Sequence, residues 1–85
     1  MPETEIYAAL TEIFRDIFLN DEMQLTPTLS AKDVEGWDSF KQIEIILATE
    51  ARFGIRLKTR EIDALSCVGD LAAVVASHAG AAVPR

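Results

Sequence analysis

The sequence predicts one small all-α domain, and three observations lead to that prediction. Its 85 residues fit a single domain, residues 1–85. Three segments space their apolar residues three and four positions apart, as amphipathic helices do. The one extended stretch, residues 55–58, would be a lone strand with nothing to pair with, so no sheet is expected.

A first helix is predicted over residues 4–19. Glu3 and Glu5 place negative charge near its N-terminal end, where the helix dipole favours it, and Asn20-Asp21 provides a stop. Its apolar face consists of Ile6, Tyr7, Leu10, Ile13, Phe14, Ile17 and Phe18.

Residues 20–38 are predicted to form one long connection. Pro27 and Gly36 interrupt helical structure there, and a loop of this length in so small a domain is often functional. We expect the loop to pack on the bundle, with Trp37 covering the core. The apolar residues that favour this packing are Met23, Leu25, Leu29, Val34 and Trp37.

A second helix is predicted over residues 39–53. Ser39 followed by Gln42 matches the capping-box pattern, and Gly54 ends the helix. This helix is apolar on two sides, and a small core buries only one of them, so the other must face a partner, a ligand or a neighbouring element. One stripe consists of Ile45, Ile46 and Phe53 with Thr49 between them, and the other of Phe40, Ile43, Leu47 and Ala51.

Two further helices are predicted over residues 60–65 and 68–79, followed by a frayed tail, residues 80–85. Thr59 is the expected cap of the short third helix, and Ser66 or Cys67 that of the fourth. The buried stripe of the fourth helix is expected to be Val68, Leu71, Ala72, Val75 and Ala79.

Composition excludes several classes of function. A net charge of -6 argues against binding nucleic acid and favours partners with basic surfaces. No apolar run approaches the ~18 residues of a membrane span. The N-terminal MPETEIY lacks the basic and apolar parts of a signal peptide, so we expect a soluble, cytoplasmic protein. We also expect it to be a monomer.

The chain also offers little for catalysis. One cysteine, Cys67, and one histidine, His78, exclude an internal disulfide and a zinc site built from several such ligands. Hydrolysis by Ser39 would need an adjacent base, which the sequence does not provide. We interpret Cys67 as a small buried residue or a neighbour of a helix cap, His78 as a surface residue near a helix C-terminus, and Asp33 with Glu35 as solvated charges. The chain is therefore not expected to be an enzyme.

Ser39 is the residue of most interest, because it follows the long loop and opens the second helix. Its local pattern alone predicts a helix cap, worth ~1 kcal/mol. A hydroxyl at that place is also exposed. A phosphate ester on it would meet free backbone N–H groups and the positive end of the helix dipole.

The stretch Gly36-Trp37-Asp38-Ser39-Phe40 resembles the attachment motif of acyl carrier proteins, Gly-x-Asp-Ser-Leu. Residues 43–47 resemble the family's second helix, and residues 50–55, EARFGI, resemble the end of that helix. Glu61-Ile62 and residues 68–75 fit its third and fourth helices. The resemblance covers nearly the whole chain and implies the family's four-helix bundle.

The resemblance implies that Ser39 carries 4'-phosphopantetheine, transferred from coenzyme A by a phosphopantetheinyl transferase that Asp38 helps to position. The thiol of the arm would carry acyl groups as thioesters to acyl-loading and acyl-transferring enzymes with basic docking surfaces. Gly36 and Trp37 would complete the attachment motif. The implied partner face is Phe40, Lys41, Ile43, Glu44 and Leu47. The residues implied to line the core and any acyl pocket are Ile45, Ile46, Phe53, Ile62 and Leu65.

Several residues depart from the family's pattern. Phe40 replaces the usual leucine, and Lys41, Ala51 and Arg52 replace acids of fatty-acid carriers. The resemblance therefore implies a specialised carrier for fatty-acid, polyketide or other biosynthesis. An aminoacyl or peptidyl carrier stays open as an alternative, although Trp37-Asp38 replaces the usual peptidyl-carrier pattern. An unmodified acidic interaction module also stays open.

Overall fold

The computed structural model describes residues 2–81, and within that range it is all-helical, as predicted. All four predicted helices are present, and each of their ends lies within two residues of the predicted one. Residues 80 and 81, predicted as part of the tail, belong to the fourth helix, while residues 82–85 and the Ala79 side chain lie outside the described part. The helices are α1 (Glu3–Phe18), α2 (Ser39–Phe53), α3 (Thr59–Asp63) and α4 (Val68–Ala81), and a short 3-10 helix, Ala31–Asp33, interrupts the long loop.

One hydrophobic core joins α1, α2 and α4. The predicted apolar face of α1 supplies its largest residue, Phe14. In the first stripe of α2, Ile45, Ile46 and Thr49 are buried as expected, while Phe53 is only partly buried against the core. Leu57, from the link between α2 and α3, closes the core at the far end of α2. The most buried residues are Ile6, Leu10, Phe14, Ile45, Thr49, Val68 and Val75.

Backbone carbonyls in the first half of the long loop accept hydrogen bonds from α1 and α4. The guanidinium of Arg15 donates to the carbonyl of Met23 at 2.8 Å. The N–H groups of Val68 and Gly69 donate to the carbonyls of Leu29 and Pro27, each at 2.8 Å. The loop therefore accepts hydrogen bonds from the first turn of α4.

Of the two residues predicted to cap α4, Cys67 lies at the cap position, because it directly precedes Val68 and its carbonyl accepts the N–H of Leu71 at 3.3 Å. The N–H groups of Val68 and Gly69 are satisfied by loop carbonyls and not by a capping side chain. Ser66 instead donates its N–H and its hydroxyl to Asp70 Oδ2, at 3.0 and 2.7 Å.

The link between α2 and α3 is ordered around Glu50. Its carbonyl accepts the N–H groups of Gly54 and Ile55, and its carboxylate accepts the N–H of Leu57 at 2.7 Å. Gly54 has φ +66, the left-handed conformation expected at the end of a helix.

Three expectations for α3 and α4 differ from the structure. Thr59 is the first residue of α3 and not its cap, because the Glu61 carboxylate accepts the N–H of Lys58 and starts the helix earlier. α3 also ends earlier than predicted, at Asp63. His78 is half-buried rather than a surface residue, because its Nε2 lies 2.9 and 3.0 Å from the Glu61 carboxylate oxygens.

Candidate functional site

Ser39 is the first residue of α2, and its neighbour Asp38 is the cap. Asp38 Oδ1 accepts the N–H of Lys41 at 2.9 Å. Asp38 has an extended backbone, φ -109 and ψ -172, whereas Ser39 already belongs to the helix. The capping box expected for Ser39 and Gln42 is therefore wrong, since the residue before Ser39 occupies the cap position.

Because Asp38 makes the capping hydrogen bond, the Ser39 side chain does not act as a cap, and it is exposed. Within residues 2–81, no group hydrogen-bonds to its Oγ. The N–H groups of Ser39 and Phe40 have no acceptor in the same part of the chain either. The hydroxyl thus lies at the positive end of α2 with unsatisfied backbone donors beside it.

A tight turn lies just before the cap, where Trp37 packs against the core and Ser39 is exposed to solvent. Gly36 has φ +88, a conformation that L side chains rarely adopt. The N–H of Asp38 returns to the Gly36 carbonyl at 3.1 Å, and that of Trp37 to the Val34 carbonyl at 3.2 Å. Glycine is therefore required in this motif for its backbone geometry.

Trp37 packs down on the core, as the sequence predicted. Its ring meets Phe14 edge-on with centroids 5.3 Å apart, and Phe18 lies 6.1 Å away. Its indole N–H donates to Gln42 Oε1 at 2.7 Å. Trp37 therefore ties the end of the loop to α1 and to the first turn of α2.

A cleft of about 450 Å³ opens beside Ser39 and is called the Ser39 cleft below. Its inner wall includes the core residues Ile45, Val68 and Leu71, and its rim includes Asp38, Asp63 and Ser66. The apolar interior and polar rim suit a flexible chain with a polar attachment end.

Of the five residues expected to form an acyl pocket, Ile45, Ile62 and Leu65 line this cleft. Ile46 and Phe53 lie in or against the hydrophobic core and do not line it. Gln42, Cys67 and Val68 line the cleft but were not expected there, because they meet only when the loop and α4 pack against α2.

The second stripe of α2 is exposed. Phe40, Ile43 and Leu47 keep 70%, 55% and 59% of their surface in solvent. This is the apolar patch that the two-sided pattern predicted, and it starts one residue after Ser39.

Lys41 and Glu44, the charged members of the expected partner face, contact each other. Lys41 Nζ lies 3.2 Å from Glu44 Oε1 and donates to the Ile17 carbonyl at 3.4 Å. The lysine therefore holds the end of α1 against α2, and Glu44 balances its charge. It adds less positive charge to the partner face than the sequence suggested.

Residues 2–81 contain no group of three or more His, Cys, Asp and Glu side chains placed to hold a metal ion. His78 contacts Glu61 and is absent from the lining of the Ser39 cleft. Among the helices of residues 2–81, none is both long enough and apolar enough to cross a membrane.

The residues around Ser39 fit a phosphodiester-linked prosthetic group. The hydroxyl is exposed and unbonded within the described chain, two backbone N–H groups beside it are free to meet a phosphate, and the cleft offers apolar surface next to it. Gly36, Asp38 and Trp37 would hold this arrangement, since they set the turn, the cap and the packing of the loop.

Comparisons with known proteins agree with this fit. A family model described as a phosphopantetheine attachment site matches residues 8–75. The meromycolate extension acyl carrier protein of Mycolicibacterium aurum is 30% identical over 73 residues, which cover 86% of this chain and 75% of that protein. The acyl carrier protein MbtL of Mycolicibacterium paratuberculosis is 34% identical over 77 residues, covering 91% and 86%.

The fold comparison gives a similar result. The solution structure of a holo acyl carrier protein from Geobacter metallireducens superposes with a TM-score of 0.84 at 36% sequence identity. The match covers 89% of this chain and 87% of that one.

Proposed function

Given that the chain belongs to the phosphopantetheine-binding family of acyl carrier proteins, we propose that Ser39 bears its 4'-phosphopantetheine and that the chain presents acyl groups to partner enzymes. The relatives are carriers and not catalysts, in agreement with the prediction that this chain is not an enzyme. When bound, the group supplies a terminal thiol that holds acyl cargo as a thioester.

The proposal that Ser39 is the attachment point rests on one observation. Its hydroxyl is exposed at the first position of α2 while Asp38 makes the capping hydrogen bond to the Lys41 N–H. Modification of Ser39 therefore removes no hydrogen bond seen among residues 2–81. A serine that served as the cap would lose part of that role on esterification.

The neighbouring residues have separate supporting roles in the proposal. Asp38 fixes the first turn of α2 and leaves a carboxylate at the rim, where a phosphopantetheinyl transferase would meet it. Trp37 holds the loop in place through Phe14 and Gln42. Ile45, Ile62 and Leu65 provide apolar surface beside the attachment point, which suits an acyl chain.

The exposed patch on α2 is the proposed contact surface for the transferase and for acyl-loading and acyl-transferring enzymes. Phe40, Ile43 and Leu47 form its apolar part and Glu44 its acidic edge. An exposed apolar patch next to a modification site favours docking by the enzymes that act there.

The pathway is proposed to be a specialised one that uses acyl cargo. The names of the mycobacterial relatives include meromycolate extension, which supports an acyl cargo over an aminoacyl or peptidyl one. Fatty-acid, polyketide and other acyl-chain biosynthesis all fit this proposal.

Incubation with coenzyme A and a broad-specificity phosphopantetheinyl transferase tests the proposal. Intact mass spectrometry should show the gain of one phosphopantetheine in the wild type and none in Ser39→Ala. Ser66→Ala is the matched control, because Ser66 is an exposed serine on the same cleft, and it should be modified like the wild type. An unmodified wild type after trials with several transferases would favour the acidic interaction module instead.

A further inference from the structure

Half of the basic residues lie in one short part of the chain. Residues 52–60 contain four of the eight lysines and arginines and no acid, so the other 76 residues carry a net charge of -10. We propose that this cationic segment, residues 52–60, is a second docking surface that binds an acidic patch on a partner enzyme. The proposal rests on the proposed function only in assuming that enzymes dock on this carrier.

Three of the four cations are available for a partner. Arg52 is paired with Glu12 across α1 and α2, at 2.8 Å. Arg56, Lys58 and Arg60 are exposed, and within residues 2–81 none of them forms a side-chain ion pair.

The acid nearest to them along the chain does not neutralise them by direct contact. The Glu61 carboxylate accepts the N–H of Lys58 and contacts His78 Nε2.

The backbone that carries these cations is fixed. Glu50 accepts the N–H groups of Gly54, Ile55 and Leu57. Leu57 is buried in the core, so the alternating pattern of the link directs Arg56 and Lys58 to solvent on either side of it. Because the segment is already ordered, a partner pays little entropy to bind it.

The position of the segment relative to Ser39 defines the partner. The step along α2 from Ser39 to Phe53 is about 21 Å long at the helical rise of about 1.5 Å per residue. The exposed Phe40, Ile43 and Leu47 lie along that helix between the two ends. A partner whose active-site entrance is over Ser39 would therefore carry its acidic patch about 20 Å away, beyond an apolar strip.

The occupant is a confined acidic patch and not an extended polyanion. A nucleic acid or an anionic bilayer would also approach the surrounding surface, where the charge is strongly negative. An enzyme with an acidic patch of matching size avoids that repulsion. The opposite charges at the two regions would also fix the orientation in which the enzyme meets the carrier.

Two variants of equal net charge test the proposal. Arg56→Gln/Lys58→Gln/Arg60→Gln removes three cations from the segment. Thr4→Glu/Thr26→Glu/Thr28→Glu adds three acids at exposed positions elsewhere. Both change the net charge from -6 to -9, and none of the six positions is buried.

The probe is a short synthetic peptide of about four glutamates, which is small enough to act as a confined acidic ligand. It is titrated into the isotope-labelled full chain at low salt and followed by amide chemical shifts. Shifts confined to residues 52–60 are expected, with affinity reduced by about tenfold in the triple Gln variant and by less than about threefold in the triple Glu variant. Equal losses in the two variants, or shifts elsewhere, would overturn the proposal.

Other occupants are outcomes of the same experiment. Tighter binding of an oligothymidylate or of vesicles containing phosphatidylglycerol at residues 52–60 would overturn the proposal in favour of a phosphate-bearing ligand. Self-association at low salt with shifts at residues 52–60 would also overturn the proposal, because the segment would then bind a second copy of the chain. The readout does not involve Ser39, so a failure here is separate from a failure of modification.

Discussion

Asp38 and Ser39 are adjacent polar residues at the start of α2, and either could cap a helix. The Asp38 carboxylate accepts the Lys41 N–H, and the Ser39 hydroxyl is exposed without a hydrogen-bond partner in the described chain. The cap can therefore be changed without touching the attachment hydroxyl, and the hydroxyl without touching the cap.

Alanine substitutions should separate the two roles. Asp38→Ala is expected to lower the free energy of unfolding by about 1 kcal/mol, because an N-terminal backbone donor loses its acceptor. Ser39→Ala should change it by less than about 0.5 kcal/mol. Urea denaturation measures both, with Asp38→Asn as a control that keeps a capping oxygen. A loss in Ser39→Ala as large as that in Asp38→Ala would show that Ser39 is structural.

Glu61 is one of two carboxylates in the described chain that are expected to make stability depend on pH. The Lys58 N–H, and next the hydrogen bond to His78, hold the pKa of the Glu61 carboxyl below its ordinary value of 4.5. A depressed pKa means that the folded chain favours the ionised carboxylate. The stabilisation is therefore complete above the ordinary pKa and is lost as the pH falls through the lower, folded value.

Urea midpoints measured between pH 7 and pH 3 should fall less in Glu61→Gln than in the wild type. Asp70 contributes a loss of the same sign, because hydrogen bonds from Ser66 lower the pKa of its carboxyl. The urea midpoint of Asp70→Asn should therefore also fall less than that of the wild type over the same pH range. Identical pH dependence in the wild type and in Glu61→Gln would contradict the assigned role of Glu61.

At the scale of the elements, the long loop and α4 depend on each other. Pro27 and Leu29 carbonyls accept the first N–H groups of α4, and this close approach leaves no room at Gly69. A Cβ at Gly69 would lie 2.8 Å from the Pro27 carbonyl oxygen.

Gly69→Ala is expected to lower the free energy of unfolding by about 1–3 kcal/mol, the range typical of overpacking. Helix propensity alone predicts the opposite sign, since alanine is favoured over glycine by roughly 1 kcal/mol in a helix interior. Thermal or urea unfolding of the single variant therefore decides between the two. Stabilisation by Gly69→Ala would mean that the loop is not held against α4.

The helices were predictable from the sequence because their signals are local. The spacing of apolar residues gave α2 as residues 39–53 and identified its exposed stripe before any packing was known. The cap was not predictable, since Asp38 and Ser39 have nearly equal capping preference. The loop contact with α4 and the His78–Glu61 pair arise from tertiary packing, which no local pattern encodes.

For the candidate site, the contiguous motif was predictable from the sequence, whereas the lining of the cleft was not. The attachment motif and Ser39 are contiguous in sequence, so the resemblance identified them directly. The Ser39 cleft is assembled from the loop, α2, the α3 region and α4. Its inclusion of Val68 and exclusion of Phe53 depend on how these segments meet.

At the scale of the whole molecule, three surface features follow one another from the start of α2 to its end. Ser39 and its cleft lie at one end, the exposed apolar stripe follows the helix, and the cationic segment comes after the other end. One core joins α1, α2 and α4, which supports the proposal that residues 1–85 form a single carrier domain. The sequence led us to expect only basic docking surfaces on partners, and the cationic segment adds an acidic one.

The most direct test of the central claim is peptide mass mapping of the protein purified from its native host. Trypsin cuts after Lys32 and Lys41 and releases residues 33–41, DVEGWDSFK, in which Ser39 is the sole hydroxyl-bearing side chain. This peptide is expected to carry the mass of phosphopantetheine, with or without acyl cargo. Phosphopantetheine on the peptide of residues 61–85, or a wholly unmodified peptide 33–41, would contradict the account.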